Sequence, residues 1–402
     1  MAEGTGQDTP ILRLAIAGLG TAGCMMLPAV HKHPHMQLTA AADVDAEPLE
    51  HFQRDFQVEI YRRVADLCQS SNVDAIYIAT PTHLHTEHAL MALEQGKHVV
   101  LEKPMALTLD DAERMIQTAE RYGVQLVVGH SHSFERPIRA MREIVQSGEL
   151  GRLRMLHNWY FTDWMYRPRN IGELNTALGG GVTFRQGSHQ FDIIRMIGGG
   201  LVRSVRAMTG VWDAQRPTEG SHVVYLEFED GTPATAVYSG YDRFHTAELT
   251  FGVGEQGQLA NLAAYGRARQ GLRALEGDEA EASLKRASAQ YGGTRSRQAS
   301  DPAPHPPFYG LTLASCERGD IRQSADGLTI YGEDDKRDIP LATDETGRDA
   351  VVRELYDAVV HHRPPAHSGR WGKANLEVCL AVLESAQKRQ EIFLSHQIAT
   401  HD

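Results

Sequence analysis

The segment Gly18-Leu19-Gly20-Thr21-Ala22-Gly23 constrains this chain more than any other. It lies between a short apolar run, Leu12 to Ala17, and a helical stretch from Ala22 to His31 that carries Met25, Met26, Pro28, Ala29 and Val30. A second apolar run, Met36 to Ala42, closes on Asp43. Strand, glycine turn, helix, second strand and an acid about twenty residues past the last glycine form a βαβ unit of the dinucleotide-binding kind. Gly18 permits the tight turn, Gly20 lets the backbone approach a pyrophosphate, and Gly23 lets the helix pack on the strand. Thr21 and Ala22 open the helix, whose free N–H groups and dipole face the phosphates. Asp43 is placed to accept from ribose hydroxyls. Its neighbours Val44 and Asp45 bring no cation for a 2′-phosphate, so NAD is expected over NADP.

The alternation continues. Ala75 to Ala79 reads as a buried strand ending at Thr80-Pro81, and His85 to Gln95 as a helix stopped by Gly96. His98 to Leu101 is the next strand and delivers Glu102-Lys103-Pro104 at its carboxyl end. In open α/β sheets ligands bind at such ends, so Thr80, Pro81, Glu102 and Lys103 are expected beside the cofactor. Leu109 to Tyr122 is a helix with a capping-box-like start at Thr108 and Asp111 and a stop at Gly123. Its core face is Ala112, Met115, Ile116 and Ala119. Val124 to Val128 completes a doubly wound parallel sheet, giving an NAD-binding Rossmann domain over 11–129 behind a frayed tail at 1–10.

From 130 to 402 the pattern changes. Strands with one apolar and one polar face recur at Leu153–Phe161, Val202–Trp212, His222–Glu229, Thr235–Gly240, Glu248–Val253 and Leu328–Tyr331. Hairpin order mixed with a few helices predicts a second α/β domain built on a large open mixed or antiparallel sheet. Residues 266–307 are polar, charged and proline-rich toward the end, a long insertion, partly mobile or helical, that is either a lid or, more simply, a solvated loop. Helices over Asp349–His361 and Lys373–Arg389 close the chain.

Bulk properties narrow the function classes. A length of 402 residues supports two cored domains, and a net charge of -12 argues against nucleic acid and anionic membranes as partners. The cysteines at 24, 68, 316 and 379 form no CxxC pair, which suits a reducing cytoplasm. No apolar run approaches the ~18 residues of a membrane span. The 20 histidines include His83-x-His85 and His130-x-His132, but these lie on separate loops without a matching acid–histidine helix motif, and no metal is expected.

ATPTHLH at Ala79–His85, LEKPMA at Leu101–Ala106, GGGVTFRQGSHQFD at Gly179–Asp192 and GRWGKANLEVCLAVLESA at Gly369–Ala386 together resemble the glucose–fructose oxidoreductase / inositol dehydrogenase (Gfo/Idh/MocA) family. WMYRPRNIGELNTALGGG, WDAQRPTEG and SCERGDIRQSADGL bring the chain closer to one subgroup, the dehydrogenases of carboxylated aromatic cis-dihydrodiols such as phthalate cis-4,5-dihydrodiol. The resemblance implies homodimers or homotetramers formed through the second sheet. It implies catalytic roles for Lys103 and His189, with His85 near the cofactor. It also exposes a departure: the family's aspartate four residues before the histidine falls on Arg185.

That departure carries a substrate expectation. Arg185 near Lys103 disfavours the ammonium form and makes the lysine a better proton acceptor. Arg167 and Arg169 can grip carboxylates, Trp164 and Tyr166 can flank a flat ring, and His132 ends a strand facing the cleft. A small anionic substrate follows, a carboxylated ring bearing a cis-diol oxidised to the catechol, with Lys103 or His189 taking the hydroxyl proton. The plainer alternative pairs Arg185 with an internal acid and leaves the other arginines on a surface loop. Two other functions stay open: a sugar or cyclitol oxidoreductase or redox-type glycosidase, which the missing acid at 185 disfavours, and a non-catalytic nucleotide-sensing regulator, which the retained Lys103 and His189 disfavour.

Overall fold

Six short strands, β1 (Leu12–Ala17), β2 (Met36–Ala42), β3 (Glu59–Tyr61), β4 (Ala75–Ile78), β5 (His98–Leu101) and β6 (Leu126–Val128), pair in parallel in the order β3-β2-β1-β4-β5-β6. The structure is a computed structural model that describes residues 9–241, 243–275, 277–293 and 303–401. Residues 1–8 of the expected tail, and 294–302 of the insertion, lie outside the described residues. Strands β1 and β4 are buried at every position but Arg13, as a sheet covered on both faces requires. The strand order reverses between β1 and β4, so the glycine turn, Thr80 and Lys103 all leave carboxyl ends around one crevice. Helix Leu109–Tyr122 forms as read, with Thr108 accepting from the Asp111 amide at 3.1 Å and Gly123 at φ 65 ending it.

The second sheet has nine strands: β7 (Leu153–Phe161), β8 (Val202–Gly210), β9 (Ser221–Phe228), β10 (Pro233–Ser239), β11 (Leu311–Cys316), β12 (Gly319–Ser324), β13 (Gly327–Gly332), β14 (Lys336–Pro340) and β15 (Ile392–Phe393). Their order is β14-β13-β12-β11-β7-β10-β9-β8-β15, antiparallel except for the β7–β10 pair. One face carries helices Ser188–Gly198 and Gly369–Lys388 and the main apolar core. On the other face the register lines up Met208, Val223, Val237, Trp159 and Leu311 in one apolar row. Met208, Val223 and Trp159 in that row are exposed.

Three expectations need correction. Glu248–Val253 is no strand: Thr246–Glu248 is a 3-10 turn, Phe251 sits at φ 59, and Val253 bridges only to Leu259. Its apolar alternation comes from side chains pinned in turns, where Phe251 faces Phe308 at 6.4 Å with Arg322 over its ring. Strands β3, β11, β12, β14 and β15 have no clear sequence signature, because polar sequences such as Gly319–Ser324 become strands only through their neighbours. The insertion is not simply solvated. It forms helices Arg267–Arg273 and Asp278–Ala289, and it is tied to Arg216 through Glu281 and to Leu19 through the Tyr291 amide. Helix Gly347–Val360, late in the chain, returns to the first sheet, burying Val351 and Leu355 with Leu27 and Val30 of helix Thr21–Lys32.

Candidate active site

Lys103 follows β5 and joins Pro104 through a cis peptide. The loop is fixed from two sides. The buried His85 ring lies 2.9 Å from the carbonyls of both Pro104 and Thr80, and Tyr77 donates to Glu102. Burial pushes His85 down to about 4, against the pull of those two carbonyls. His85 therefore braces the strand ends. Lys103 donates from Nζ to the Arg185 carbonyl at 2.8 Å. Burial lowers the lysine to about 8, with the Arg185 charge as the next cause. Desolvation in the fold thus outweighs the Arg185 charge expected from sequence.

Arg185 and His189 enter from a π-helical turn, Thr183–Gly187, that runs directly into helix Ser188–Gly198. Such turns cluster at functional sites because they re-aim side chains that an α-helix would space evenly. Burial, followed by the charge of Lys103, holds His189 well below the usual imidazole range, so the ring is neutral and its Nδ1 has no partner. His132 packs edge-on against it at 4.5 Å, and Tyr309 lies 5.1 Å from His189 and 4.3 Å from His132. His132 stands between Glu135 at 2.7 Å and Glu255 at 3.4 Å. Burial opposes its charge, but the two carboxylates win and raise it to about 9. Tyr160 donates to the other Glu255 oxygen at 3.2 Å, and Arg167 pairs with Asp163 at 2.5 Å.

A second group sits beside this cluster. Glu173, buried, faces Arg169 at 3.1 Å, Lys285 at 3.2 Å and Arg185 at 3.6 Å. Despite burial, which opposes ionisation, those cations hold Glu173 down at about 2. One carboxylate thus serves three cations, and the Arg185 side chain keeps 30% of its surface exposed. Arg169 is otherwise committed inward, over the Trp164 ring at 3.9 Å and onto the Trp164 carbonyl. Trp164 itself is 2% exposed, so its face is covered by Arg169, while Tyr166 is half-buried near Tyr241 and Arg269. Lys285 belongs to the insertion. The insertion also places Glu281 on Arg216 at 2.7 Å and on the Arg169 amide at 2.6 Å. Its far end reaches the nucleotide side, where the Tyr291 amide donates to the Leu19 carbonyl at 2.9 Å and Gln290 donates to Asp45.

The glycine turn has the shape a pyrophosphate needs. Gly18 lies at φ +99, and a Cβ there would stand 2.7 Å from the Ala79 carbonyl oxygen. A Cβ on Gly23 would lie 2.0 Å from the Gly18 oxygen, whereas one on Gly20 would meet open space. Helix Thr21–Lys32 has no side-chain cap, so its first amides are free for an anion, and the buried Thr21 hydroxyl has no partner. Asp43 holds the Leu19 and Asp45 amides at 2.7 and 3.0 Å. Among the described residues no three or more His, Cys, Asp or Glu side chains gather as a metal site, and no helix is long and apolar enough to cross a membrane.

Residues 12–130 match the NAD-binding Rossmann domain of an oxidoreductase family, and residues 138–260 match the Gfo/Idh/MocA C-terminal domain. The chain belongs to the Gfo/Idh/MocA oxidoreductase family. It is 37% identical, over 94% of its length and 95% of the relative's, to 1-carboxy-3-chloro-3,4-dihydroxycyclohexa-1,5-diene dehydrogenase of Comamonas testosteroni. A crystal structure from Bordetella bronchiseptica RB50, assigned as a dehydrogenase, superposes with a TM-score of 0.90 at 41% identity, covering 96% of this chain and 100% of that one. The WlbA dehydrogenase of Bordetella pertussis, in complex with NADH and UDP-GlcNAcA, shares the fold at TM-score 0.70 and 19% identity, covering 96% of this chain and 99% of that one. This Gfo/Idh/MocA chain is an NAD-dependent oxidoreductase, and the open backbone at Gly20 with the free amides of Thr21 and Ala22 fits the pyrophosphate.

The fold brings Lys103, His189, Arg185 and His132 together as the sequence suggested. It adds Glu173, Glu255, Tyr160, Tyr309 and Lys285. Only Glu173 left a trace in sequence: Asn170-x-x-Glu173 is a capping box, which the structure contains. Glu255 lies in a tight turn between Val253 and Leu259, and Tyr309 follows the insertion. Nothing local marks either one.

Proposed function

We propose that this enzyme oxidises a carboxylated aromatic cis-dihydrodiol, phthalate cis-4,5-dihydrodiol, to the catechol 4,5-dihydroxyphthalate. The carrying observation is the excess of cations over acids beside the lysine: Arg169, Arg185 and Lys285 share the single carboxylate of Glu173. An anionic ring substituent balances that excess. At 4 Å and an effective dielectric near 20 each such pair is worth roughly 4 kcal/mol before desolvation. Similarity to a dehydrogenase of a carboxylated dihydroxycyclohexadiene supports the same substrate class.

When bound, NAD accepts the hydride from the carbinol carbon. Lys103, at about 8, has the proton affinity suited to taking the hydroxyl proton near neutral pH. His189, kept neutral by burial, holds the hydroxyl oxygen by donating from its ring. Arg185 anchors the ring carboxylate, Arg167 is a second anchor, and Tyr309 closes the pocket against water. Assembly through the apolar row Met208–Val223–Val237–Trp159–Leu311 of the second sheet, as a homodimer or homotetramer, is part of the same reading. The test is NADH absorbance with NAD and phthalate cis-4,5-dihydrodiol, alongside myo-inositol, glucose and a carboxylate-free benzene dihydrodiol. Turnover of the carboxylated diol alone is expected; turnover of a sugar in its place would refute the assignment.

A further inference from the structure

A vicinal diol presents two hydroxyls, and Lys103 with His189 account for one. Arg185, four residues before His189, is a donor only, so the second hydroxyl needs an acceptor from elsewhere. The carboxylates around the cleft can be taken in turn. Glu173 and Glu135 are each 7% exposed and carry ion pairs, and Asp192 is fully buried under Trp371. Asp163 is held at 2.5 Å by Arg167. Glu102 accepts from Tyr77 and from the Lys103 amide. Of the two carboxylates that flank His132, Glu255 is the one that is not buried. Its side chain keeps 33% of its surface exposed while touching groups that are themselves buried, His132 at 3.4 Å and the Tyr160 hydroxyl at 3.2 Å.

Two partners leave a carboxylate with lone pairs to spare, since an ionised carboxylate accepts at about four positions. The turn that carries Glu255 is held in place: the Gly254 amide donates to the Gln258 carbonyl at 2.9 Å and the Phe308 amide to the Gly254 carbonyl at 3.1 Å. Through His132, whose ring packs on both His189 and Tyr309, Glu255 stands one side chain away from the ring assigned to the reacting hydroxyl. It also acts on Lys103 through space.

We propose that Glu255, carried by the Val253–Leu259 turn, accepts a hydrogen bond from the non-reacting hydroxyl of the substrate's cis-diol. This rests on the carboxylated-diol reading of the site. Glu255 then makes the enzyme select a vicinal diol over a ring acid with one hydroxyl, and the buried His132 and Tyr160 fix where that second hydroxyl must lie.

The test is calorimetric binding of two stable product-like acids, 4,5-dihydroxyphthalate and 4-hydroxyphthalate, to the NAD-loaded enzyme and to Glu255→Gln. The native enzyme should favour the dihydroxy acid by about ten- to a hundredfold, the range of a hydrogen bond to a charged acceptor. Glu255→Gln, whose amide oxygen accepts only a neutral hydrogen bond, should lower that ratio by about fivefold or more while leaving 4-hydroxyphthalate binding within about twofold. Equal weakening of both acids, or no change, would make Glu255 only a counter-ion for His132 and overturn the proposal. If Glu255→Gln fails to fold, Glu255→Asp keeps the charge but withdraws it by one methylene, and must still lower the ratio. Native enzyme that binds neither acid would fell the carboxylated-diol reading and this one with it. Native enzyme that binds both alike would fell this one alone.

Discussion

The nucleotide cradle and the proposed substrate site of this oxidoreductase are built in opposite ways. The cradle is local: Gly18, Gly20, Gly23 and Asp43 lie within one βαβ unit, and Asp43 reaches only as far as the Leu19 and Asp45 amides. The proposed site is assembled from afar. Lys103 comes from a strand end of the first sheet, Arg185 from a π turn, His189 from the helix that follows it, Glu255 from a tight turn, Tyr309 from behind the insertion and Lys285 from within it. A local site depends on backbone geometry that few residues can satisfy. A distributed site depends on packing that brings charges together and strips them of water, and so its pKa values are far from ordinary.

Three changes put that contrast under strain. The largest effect is expected from Lys103→Met, which should lower kcat by about a hundred- to ten-thousandfold while leaving NAD affinity unchanged, as removal of a general base does. Native kcat/KM should rise with pH through about 8, because deprotonated Lys103 is the accepting form. A profile that instead falls there would move the base to His189.

Glu173→Gln comes next. Removing the shared acid of three cations should cost about 3–5 kcal/mol of stability, read as a lower urea midpoint. The Glu173 carboxyl is depressed on folding, to about 2 from an ordinary 4.5. Its stabilisation is therefore present above pH 4.5 and is lost as pH falls toward 2, so native and variant midpoints should converge in acid. Parallel curves across that range would show that the buried charges do not depend on one another.

Tyr291→Ala should have the smallest effect. The strap that ends at Tyr291 joins the two regions, its ring lying 5.0 Å from Phe52 and its hydroxyl on Asp55 at 2.8 Å. Truncation should weaken NAD binding by about tenfold with kcat held, measured by fluorescence titration. Unchanged NAD affinity would mean that the two regions act independently.

The sequence alone determined the parallel sheet, its crevice and the cradle, because glycine spacing and apolar strand runs act at short range and few alternatives satisfy them. It also singled out Lys103, His189 and Arg185. It misread Glu248–Val253, since alternation looks the same whether a sheet or a set of turns holds the side chains. It missed Glu255 and Lys285, which carry no local signature. Only the tertiary structure decided that Arg169 turns inward onto Trp164 and Glu173, that the insertion straps the cleft, and that His132 lies between two carboxylates. Those outcomes depend on which charges are buried together, and burial is a property of the folded whole rather than of any segment.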